Sequence, residues 1–314
     1  MPLTKHPSKR SGRRPKRVSR LLRRLRKISV RRVAETLPGV SKQWQRIRFR
    51  LWAQRNARTN QDAGVTRPDF IIIGAPKCGT SWLQAGLARH PNVIAVPEEI
   101  EYFSLHADYP VEWYAHHFIE QLNATRGTKQ APYFFGEKSA RYCTMSPETI
   151  RRVRDLVPDA RLILMTRDPV SRHWAHAKKF FAKRRLINPD QAVLSLPRRK
   201  LMDFFKEMRP LGEFSNIIAN WTAVYPKDQL LVLSQEKTLA SPERVIDAVL
   251  KHIGVTTDYD PESLKFLTRQ RNRGPRIDMP DDIAEFLEEM FAGEREWLGA
   301  FFGDRLYVGS PERG

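Results

Sequence analysis

Residues 70–83 constrain the fold more than any other stretch of the chain. The apolar run from Phe70 to Ile73 lacks polar alternation, which indicates a strand buried on both faces. A loop containing glycine and proline follows and carries Lys77, and Thr80 and Ser81 stand where a helix over about 81–89 is expected to begin. Backbone N–H groups, a helix N-terminus and an ammonium then surround one small volume, which predicts a site for a phosphate-like anion. Lys77 follows Gly74 by three positions, fewer than the GxxxxGK[ST] loop requires.

From residue 68 onward, apolar strand-like runs alternate with segments of helical character. This alternation predicts an α/β fold in which a P-loop-like, mostly parallel central sheet is flanked by helices. Ligands of such sheets bind at the carboxyl ends of the strands, where both Lys77 and Arg167 are expected. The further strands are expected at 93–96, 161–166 and 230–233, and the further helices at 147–157, 212–224 and 242–253.

The positive charge of the chain belongs to its N-terminal segment. The formal net charge is +20, yet residues 1–67 hold 21 of the 55 Lys and Arg residues and two of the 35 Asp and Glu residues. The remainder is therefore nearly neutral. We expect two regions, a basic N-terminal tail (1–67) that is partly helical or disordered and a folded domain (68–314).

The basic tail is open to several interpretations. It suits a solvated tail, or an amphipathic helix lying on an anionic membrane surface. Nucleic-acid binding or an organelle transit sequence is less favoured. No apolar run is long enough for a transmembrane segment, and no signal peptide is evident. The two cysteines, Cys78 and Cys143, predict no disulfide framework and suit a reducing compartment. We expect a cytoplasmic protein, with peripheral binding at the inner membrane as the alternative location.

Two motifs together carry a resemblance to a known family. Gly-Ala-Pro-Lys-Cys-Gly-Thr-Ser-Trp-Leu (74–83) and Leu-Met-Thr-Arg-Asp-Pro-Val-Ser-Arg (164–172) resemble the paired motifs of sulfotransferases that use 3′-phosphoadenosine-5′-phosphosulfate (PAPS). The branch that includes heparan-sulfate-type enzymes and their bacterial relatives is the most similar. Supporting segments are 97–103, 136–142 and 211–221, and the resemblance extends over about 68–305.

The resemblance implies a set of donor-binding residues. Lys77 is expected to stabilise the leaving 5′-phosphate as charge develops on it, by analogy with phosphoryl transfer. Arg167 is expected to bind the 3′-phosphate as a bidentate partner. The other expected donor-binding residues are Cys78, Gly79, Thr80 and Ser81 at the 5′-phosphosulfate, and Arg273 and Gly274 in a loop that closes over the 3′-phosphate.

The resemblance also implies catalytic residues on the acceptor side. Glu99 matches the family's general base, which removes a proton from the acceptor as sulfate arrives. A shift of one position in the alignment would make Glu98 the base instead. Lys138 resembles a family lysine near the transferred sulfuryl group. His173 and His176, expected on a helix surface, are alternative bases.

Three positions depart from the family pattern, one of them Phe214, which stands where the family has a tyrosine. Ala175 stands where a phosphate-binding serine is expected eight residues after Arg167, and Ser171 is the nearest hydroxyl. Glu98 stands where the family has lysine. Cys78 is expected either as a reactive thiol in an electropositive loop or as a small space-filling residue.

The sequence therefore predicts an enzyme that transfers a sulfuryl group from PAPS to a hydroxyl or amine, with PAP as the product. The acceptor is expected to be a carbohydrate or glycolipid, and no metal is expected because no ligand spacing is evident. A nucleotide-dependent kinase or NTPase, and a non-catalytic binding protein with a degenerate sulfotransferase fold, remain as alternatives.

Overall fold

A computed structural model of the chain describes residues 66–184, 193–257, 263, 266 and 277–309. Within them the chain forms one six-stranded sheet, in which the strands at 70–74, 93–95, 161–166 and 230–234 are buried almost throughout because their sequences are mainly apolar. The strands are β1 (Phe70–Gly74), β2 (Val93–Ala95), β3 (Phe134–Lys138), β4 (Arg161–Thr166), β5 (Leu230–Ser234) and β6 (Tyr307–Val308).

The sheet has the strand order β2-β3-β1-β4-β5-β6. The first five strands are parallel and β6 pairs antiparallel with β5 at the edge. Ile72 of β1 lies opposite Lys138, the last residue of β3, and β1 continues two residues further to Gly74. The carboxyl ends of β1, β3 and β4 therefore meet at one edge of the sheet, where ligands bind in folds of this kind.

Helices connect the parallel strands and cover the sheet. The mostly parallel α/β architecture that the sequence predicts is confirmed. The helices are α1 (Thr80–Leu87), α2 (Tyr102–Leu105), α3 (Val111–Thr125), α4 (Pro147–Leu156), α5 (Pro169–Arg184), α6 (Arg198–Met208), α7 (Phe214–Thr222), α8 (Gln235–Ala240), α9 (Pro242–Ile253) and α10 (Asp281–Phe302), with 3₁₀ turns at Ala140–Thr144, Arg209–Gly212 and Lys227–Gln229.

Local sequence explains where two of these helices begin. Ser146 precedes Pro147, and its hydroxyl accepts a hydrogen bond from the N–H of Thr149, which is an ordinary serine cap with proline in the first turn. At α5, the Asp168 carboxylate accepts a hydrogen bond from the N–H of Ser171 at 2.9 Å. Asp168 also forms an ion pair with Arg295 at 2.9 Å, so α10 is joined to the start of α5.

The apolar residues form two clusters. The larger surrounds the sheet and includes β1, β4 and β5 together with α7 and α9. The smaller lies between α5, α6 and α10, where Trp174, Phe205 and Phe291 are buried. Because α5 belongs to this second cluster, packing remote from the sheet fixes the helix that follows Arg167.

Several predictions fall on residues that the structure leaves undescribed. The tail at 1–65 and the loop residues Arg273 and Gly274 lie outside the described residues. The boundary between tail and domain at residue 67 stays a prediction. Among the described residues, each helix is too short or too polar to cross a bilayer.

Candidate functional site

The loop after β1 has a backbone that few residues tolerate. Lys77 has φ 75° and Gly79 has φ 98°, both in the left-handed region. The φ of Gly79 favours glycine at this position, and a Cβ there would also lie 3.2 Å from the terminal methyl of Met165, a tight contact. Lys77 has a Cβ, so its left-handed conformation is strained. Backbone strain of this kind clusters at functional sites.

The loop ends at the N-terminus of α1, where Gly79 is the N-cap residue without a side-chain cap. The first N–H groups that bond back within the helix are those of Trp82 and Leu83, both donating to the Gly79 carbonyl. The N–H groups of Gly79, Thr80 and Ser81 precede them, and helix geometry gives them no intrahelical acceptor. They form a set of donors at a positive helix end that suits a phosphate or sulfate group.

The second motif touches the first. The Arg167 guanidinium, just past the end of β4, donates a hydrogen bond to the Lys77 carbonyl with an Nη1···O distance of 3.2 Å. Its Nε lies 3.2 Å from the Ser171 hydroxyl. Two segments 90 residues apart in sequence thus meet at the edge of the sheet. The sequence predicts the proximity of Lys77 and Arg167 but not this contact.

Arg172 is a residue of this site that sequence reasoning missed. Its side chain is completely buried, and its Nε donates to the Pro76 carbonyl at 3.1 Å. Its terminal nitrogens lie 3.2 Å from Nε2 of His173 and 3.2 Å from Nδ1 of His176. Burial lowers the pKa of Arg172 to about 10, which still leaves the guanidinium charged at neutral pH. The motif Arg-Asp-Pro-Val-Ser-Arg contained the signal, since it ends on this arginine.

The two histidines beside Arg172 are unsuited to act as bases that exchange protons with a substrate. Burial and, after it, the charge of Arg172 lower the pKa of His173 to about 4 and that of His176 to about 3. His173 is completely buried, which corrects its expected position on the helix surface. It lies there because α5 packs this face against Phe291 and the end of α6 rather than towards solvent.

Glu99, Lys138 and Ser81 form a second group of polar side chains. The Lys138 ammonium lies 3.0 Å from a Glu99 carboxylate oxygen and donates to the Ser81 hydroxyl at 3.4 Å. The Lys138 side chain is nearly buried, whereas that of Glu99 is 30% exposed and accessible to a ligand. The structure thus brings together the expected base, the expected acceptor-side lysine and one residue of the anion loop.

The other two acids of the segment are placed differently. Glu98 is exposed, and no described contact joins it to the loop of Lys77. Glu101 is buried, has φ 52°, and pairs with Arg141 at 3.8 Å. Of the three acids it is Glu99 that touches the lysine at the sheet edge, which favours Glu99 over Glu98 as the base.

Glu137, next to Lys138 in β3, is completely buried on the opposite face of its strand. Its carboxylate accepts hydrogen bonds from the hydroxyls of Tyr114 at 2.5 Å and Ser139 at 2.8 Å, and it also bonds with Tyr142. Burial raises the pKa of Glu137 to about 7, and the three hydroxyls oppose that rise.

Cys78 and Ala175 add little to the site through their side chains. The Cys78 side chain is buried in the core, and burial raises the pKa of its thiol to about 12, which makes it a space-filling residue rather than a reactive thiolate. Its N–H donates to the Ala75 carbonyl at 3.2 Å. Ala175 offers no hydroxyl, but Ser171 lies against the Arg167 guanidinium. Among the described residues, no group of three or more His, Cys, Asp or Glu side chains is arranged to hold a metal ion.

The fold and the site define an α/β protein whose anion-binding loop joins the first strand to the first helix, with cationic side chains from two other strand ends beside it. Comparison with known proteins agrees. A family model described as "Sulfotransferase family" matches residues 68–260. The chain belongs to the sulfotransferase family, and its P-loop-like fold is confirmed.

Individual relatives give the same result. The chain is 29% identical over 213 residues to the human bifunctional heparan sulfate N-deacetylase/N-sulfotransferase 3, a match that covers 63% of this chain and 24% of that protein. It is 27% identical over 190 residues to the human heparan sulfate glucosamine 3-O-sulfotransferase 3B1, covering 60% and 46%. The chain thus spans less than half the length of these relatives.

A solved structure has the same fold. The crystal structure of a sulfotransferase from Alicyclobacillus acidocaldarius superposes with a TM-score of 0.54 at 25% identity. The superposition covers 75% of this chain and 96% of that chain.

Proposed function

We propose that the protein transfers a sulfuryl group from PAPS to a hydroxyl or amine of a carbohydrate or glycolipid and releases PAP. The observation that carries the proposal is the contact between the two anion-binding motifs, in which the Arg167 guanidinium bonds the Lys77 carbonyl. A nucleotide with phosphate groups at both its 5′ and 3′ positions offers anions to both motifs at once.

The charges around the loop fit such a donor. Lys77, Lys138, Arg167 and Arg172 are basic and lie at or behind the loop, and Glu99 pairs with Lys138. Arg172 contacts a carbonyl and two imidazole groups behind the loop, so its buried positive charge adds to the attraction of the loop for an anion. An anionic donor would offset this excess of positive charge.

Each residue then has a role in an in-line transfer. Lys77 neutralises the charge that develops on the 5′-phosphate as its bond to sulfur breaks, and the N–H groups of Gly79, Thr80 and Ser81 hold that phosphate. Arg167 and Ser171 hold the 3′-phosphate, together with Arg273 and Gly274 if their loop closes over it. The Cys78 side chain is buried in the core and takes no part in donor binding.

The acceptor side uses the pair formed by Glu99 and Lys138. Glu99 takes the proton from the acceptor hydroxyl or amine while the acceptor oxygen or nitrogen forms a bond to sulfur. Lys138, which holds Glu99 in this structure, faces Ser81 and therefore lies beside the loop where the sulfuryl group is presented.

The relatives favour a sugar acceptor. Both human relatives are named for heparan sulfate, one for N-sulfation and the other for 3-O-sulfation. We therefore propose a carbohydrate-type acceptor and leave both an amine and a hydroxyl as target groups.

Thermal unfolding with two nucleotides separates this proposal from a kinase or NTPase. We expect PAP to raise the melting temperature clearly and ATP with Mg²⁺ to raise it only slightly, because the anion loop is shorter than the NTP-binding loop. Stabilisation by ATP with Mg²⁺ and not by PAP would overturn the donor assignment. A mass gain of one sulfate on members of an acceptor panel, seen with PAPS and absent with PAP, would distinguish an enzyme from a binding protein.

A further inference from the structure

We propose that Glu137 is a positioning residue, which fixes the loop that carries Glu99 through two buried hydroxyl groups. The inference rests on the proposed function insofar as Glu99 is the base. The structural part, that Glu137 anchors residues 101–103, stands without it.

The anchor consists of two chains of hydrogen bonds, which are joined to each other by a bond between Tyr142 and Ser139. The N–H of Glu101 donates to the Ser139 hydroxyl at 3.0 Å, and that hydroxyl donates to Glu137 at 2.8 Å. The N–H of Phe103 donates to the Tyr142 hydroxyl at 3.3 Å, and Tyr142 also bonds with Glu137. Two peptide groups of the loop therefore connect to one buried carboxylate.

The carboxylate form of Glu137, which predominates above its pKa of about 7, gives these bonds their direction. An ionised carboxylate only accepts hydrogen bonds, so each neighbouring hydroxyl must point its hydrogen at Glu137. The lone pairs of Ser139 and Tyr142 are then left to accept from the peptide N–H groups of Glu101 and Phe103. A glutamine at 137 would present an amide N–H to one of these hydroxyls and compete with the loop.

The loop needs such an anchor because its backbone is unfavourable on its own. Glu101 has φ 52°, a left-handed conformation that persists in a residue with a side chain only where the surroundings impose it. Rings of Tyr102 and Tyr114 stack at 4.7 Å, and Phe103 packs edge-on against Tyr142 at 5.6 Å, which holds the same segment from its apolar side.

The anchor is connected to the site through both of its ends. Glu99 lies two residues before Glu101, and Lys138 follows Glu137 directly in β3. Adjacent residues of a strand face opposite sides, so Glu137 faces the buried network while Lys138 faces Glu99 at 3.0 Å. Fixing Glu137 to the loop therefore fixes the distance between the base and its lysine.

Three variants and a matched control test the proposal. Glu137→Gln, Ser139→Ala and Tyr142→Phe each interrupt the anchor. Tyr225→Phe is the control, because it removes an equally buried phenol whose hydroxyl bonds the Val157 carbonyl instead of the loop. Hydrogen exchange of the Glu101 and Phe103 amides and steady-state kinetics are measured on each full-length variant, with melting temperature alongside.

We expect exchange at Glu101 to rise about five- to tenfold in Glu137→Gln and Ser139→Ala, and at Phe103 to the same extent in Glu137→Gln and Tyr142→Phe, with no rise in Tyr225→Phe. We expect kcat to fall about 10- to 100-fold in the three variants while KM for PAPS stays within about twofold, because the donor loop is untouched.

Unchanged exchange at both amides would overturn the anchor. Faster exchange without a loss of kcat would overturn the positioning role. The role would also be overturned if kcat fell in proportion to the loss of melting temperature in all four variants, including the Tyr225→Phe control. If the wild-type protein binds no PAP and transfers no sulfate, the proposed function fails, while the exchange data still decide the anchor by themselves.

Discussion

The Arg167 guanidinium donates a hydrogen bond to the carbonyl oxygen of Lys77, with 3.2 Å between Nη1 and the oxygen. Arg172 does the same at the preceding residue, donating to the Pro76 carbonyl at 3.1 Å. Two cations thus hold consecutive carbonyls of the loop that turns through the left-handed Lys77. With these carbonyls bound on one side, the N–H groups of residues 79–81 are left at the helix end. The second motif therefore shapes the first as well as adding a charge to it.

Lys77→Ala should remove most of the sulfuryl-transfer activity. The ammonium is the group placed to follow charge onto the leaving phosphate, and loss of one such donor costs about 10²–10³ in kcat. The check is initial-rate kinetics with PAPS, alongside Lys179→Ala, which removes an exposed lysine on α5. Thermal unfolding should show both variants folded. A Lys77→Ala enzyme as active as the Lys179→Ala control would exclude Lys77 from the mechanism.

Glu99→Gln and Glu98→Gln form a matched pair on one segment. Because Glu99 contacts Lys138 and Glu98 is exposed, we expect Glu99→Gln to lower kcat by about 10²–10⁴ and Glu98→Gln to leave it near wild type. Rates at saturating PAPS and acceptor measure the difference. The reverse order of activities would mean that Glu98 is the base.

The predictability of this fold follows from how its strands are composed. The centres of β1, β4 and β5 are apolar runs, and the bounds that the sequence predicts for each lie within one residue of those observed. Strand β3 was not predicted as a strand, because Gly136, Glu137 and Lys138 interrupt its apolar character. It is a strand since Glu137 finds hydroxyl partners in the interior and Lys138 finds Glu99, which only tertiary structure supplies.

Four residues of the candidate site were predictable from the sequence, and the burial of two others was not. Lys77, Arg167, Glu99 and Lys138 come from motifs, and the structure brings them to one edge of the sheet, although their roles stay predictions. The burial of Arg172 and of His173 was not predictable, because it depends on packing between α5, α6 and α10, elements far apart in sequence. Helix α10 itself was not predicted.

Deleting residues 1–60 should weaken binding to anionic vesicles and leave turnover on a soluble acceptor unchanged. The reason is the charge of the basic tail, since residues 1–67 hold 21 Lys and Arg against two acids. Flotation with phosphatidylserine-containing vesicles, compared with vesicles of neutral lipid, measures the first effect. A truncated protein that still floats fully with the anionic vesicles would refute a membrane role for the tail.

Arg172→Met should destabilise the protein and weaken PAP binding together. The substitution removes the guanidinium contacts to the Pro76 carbonyl, to Nε2 of His173 and to Nδ1 of His176, and lost bonds to a charged group cost about 1.5–3 kcal/mol each. It also removes a positive charge behind the anion loop. Urea unfolding and PAP titration measure the two effects, with the exposed Arg151→Met as control. Tighter PAP binding in Arg172→Met would contradict the role given to this charge.

The stability of the protein should fall between pH 6.5 and about pH 4, in part because of His176. Burial, followed by the charges of Arg172 and Lys77, lowers the pKa of His176 in the folded state to about 3. The unfolded histidine, with its ordinary pKa of about 6.5, binds a proton that the folded state excludes, so this contribution to stability is full above pH 6.5 and is lost as the pH falls. Each such histidine contributes a slope of about 1 kcal/mol per pH unit between pH 6 and pH 5.

Burial raises the pKa of Glu137 to about 7, which gives a slope of the opposite sign, so the test compares slopes rather than absolute stabilities. The free energy of unfolding of His176→Gln, measured with urea at both pH values, should therefore change less steeply than that of the wild type by about that amount. Parallel slopes would mean that His176 takes up its proton in the folded state as readily as in the unfolded chain.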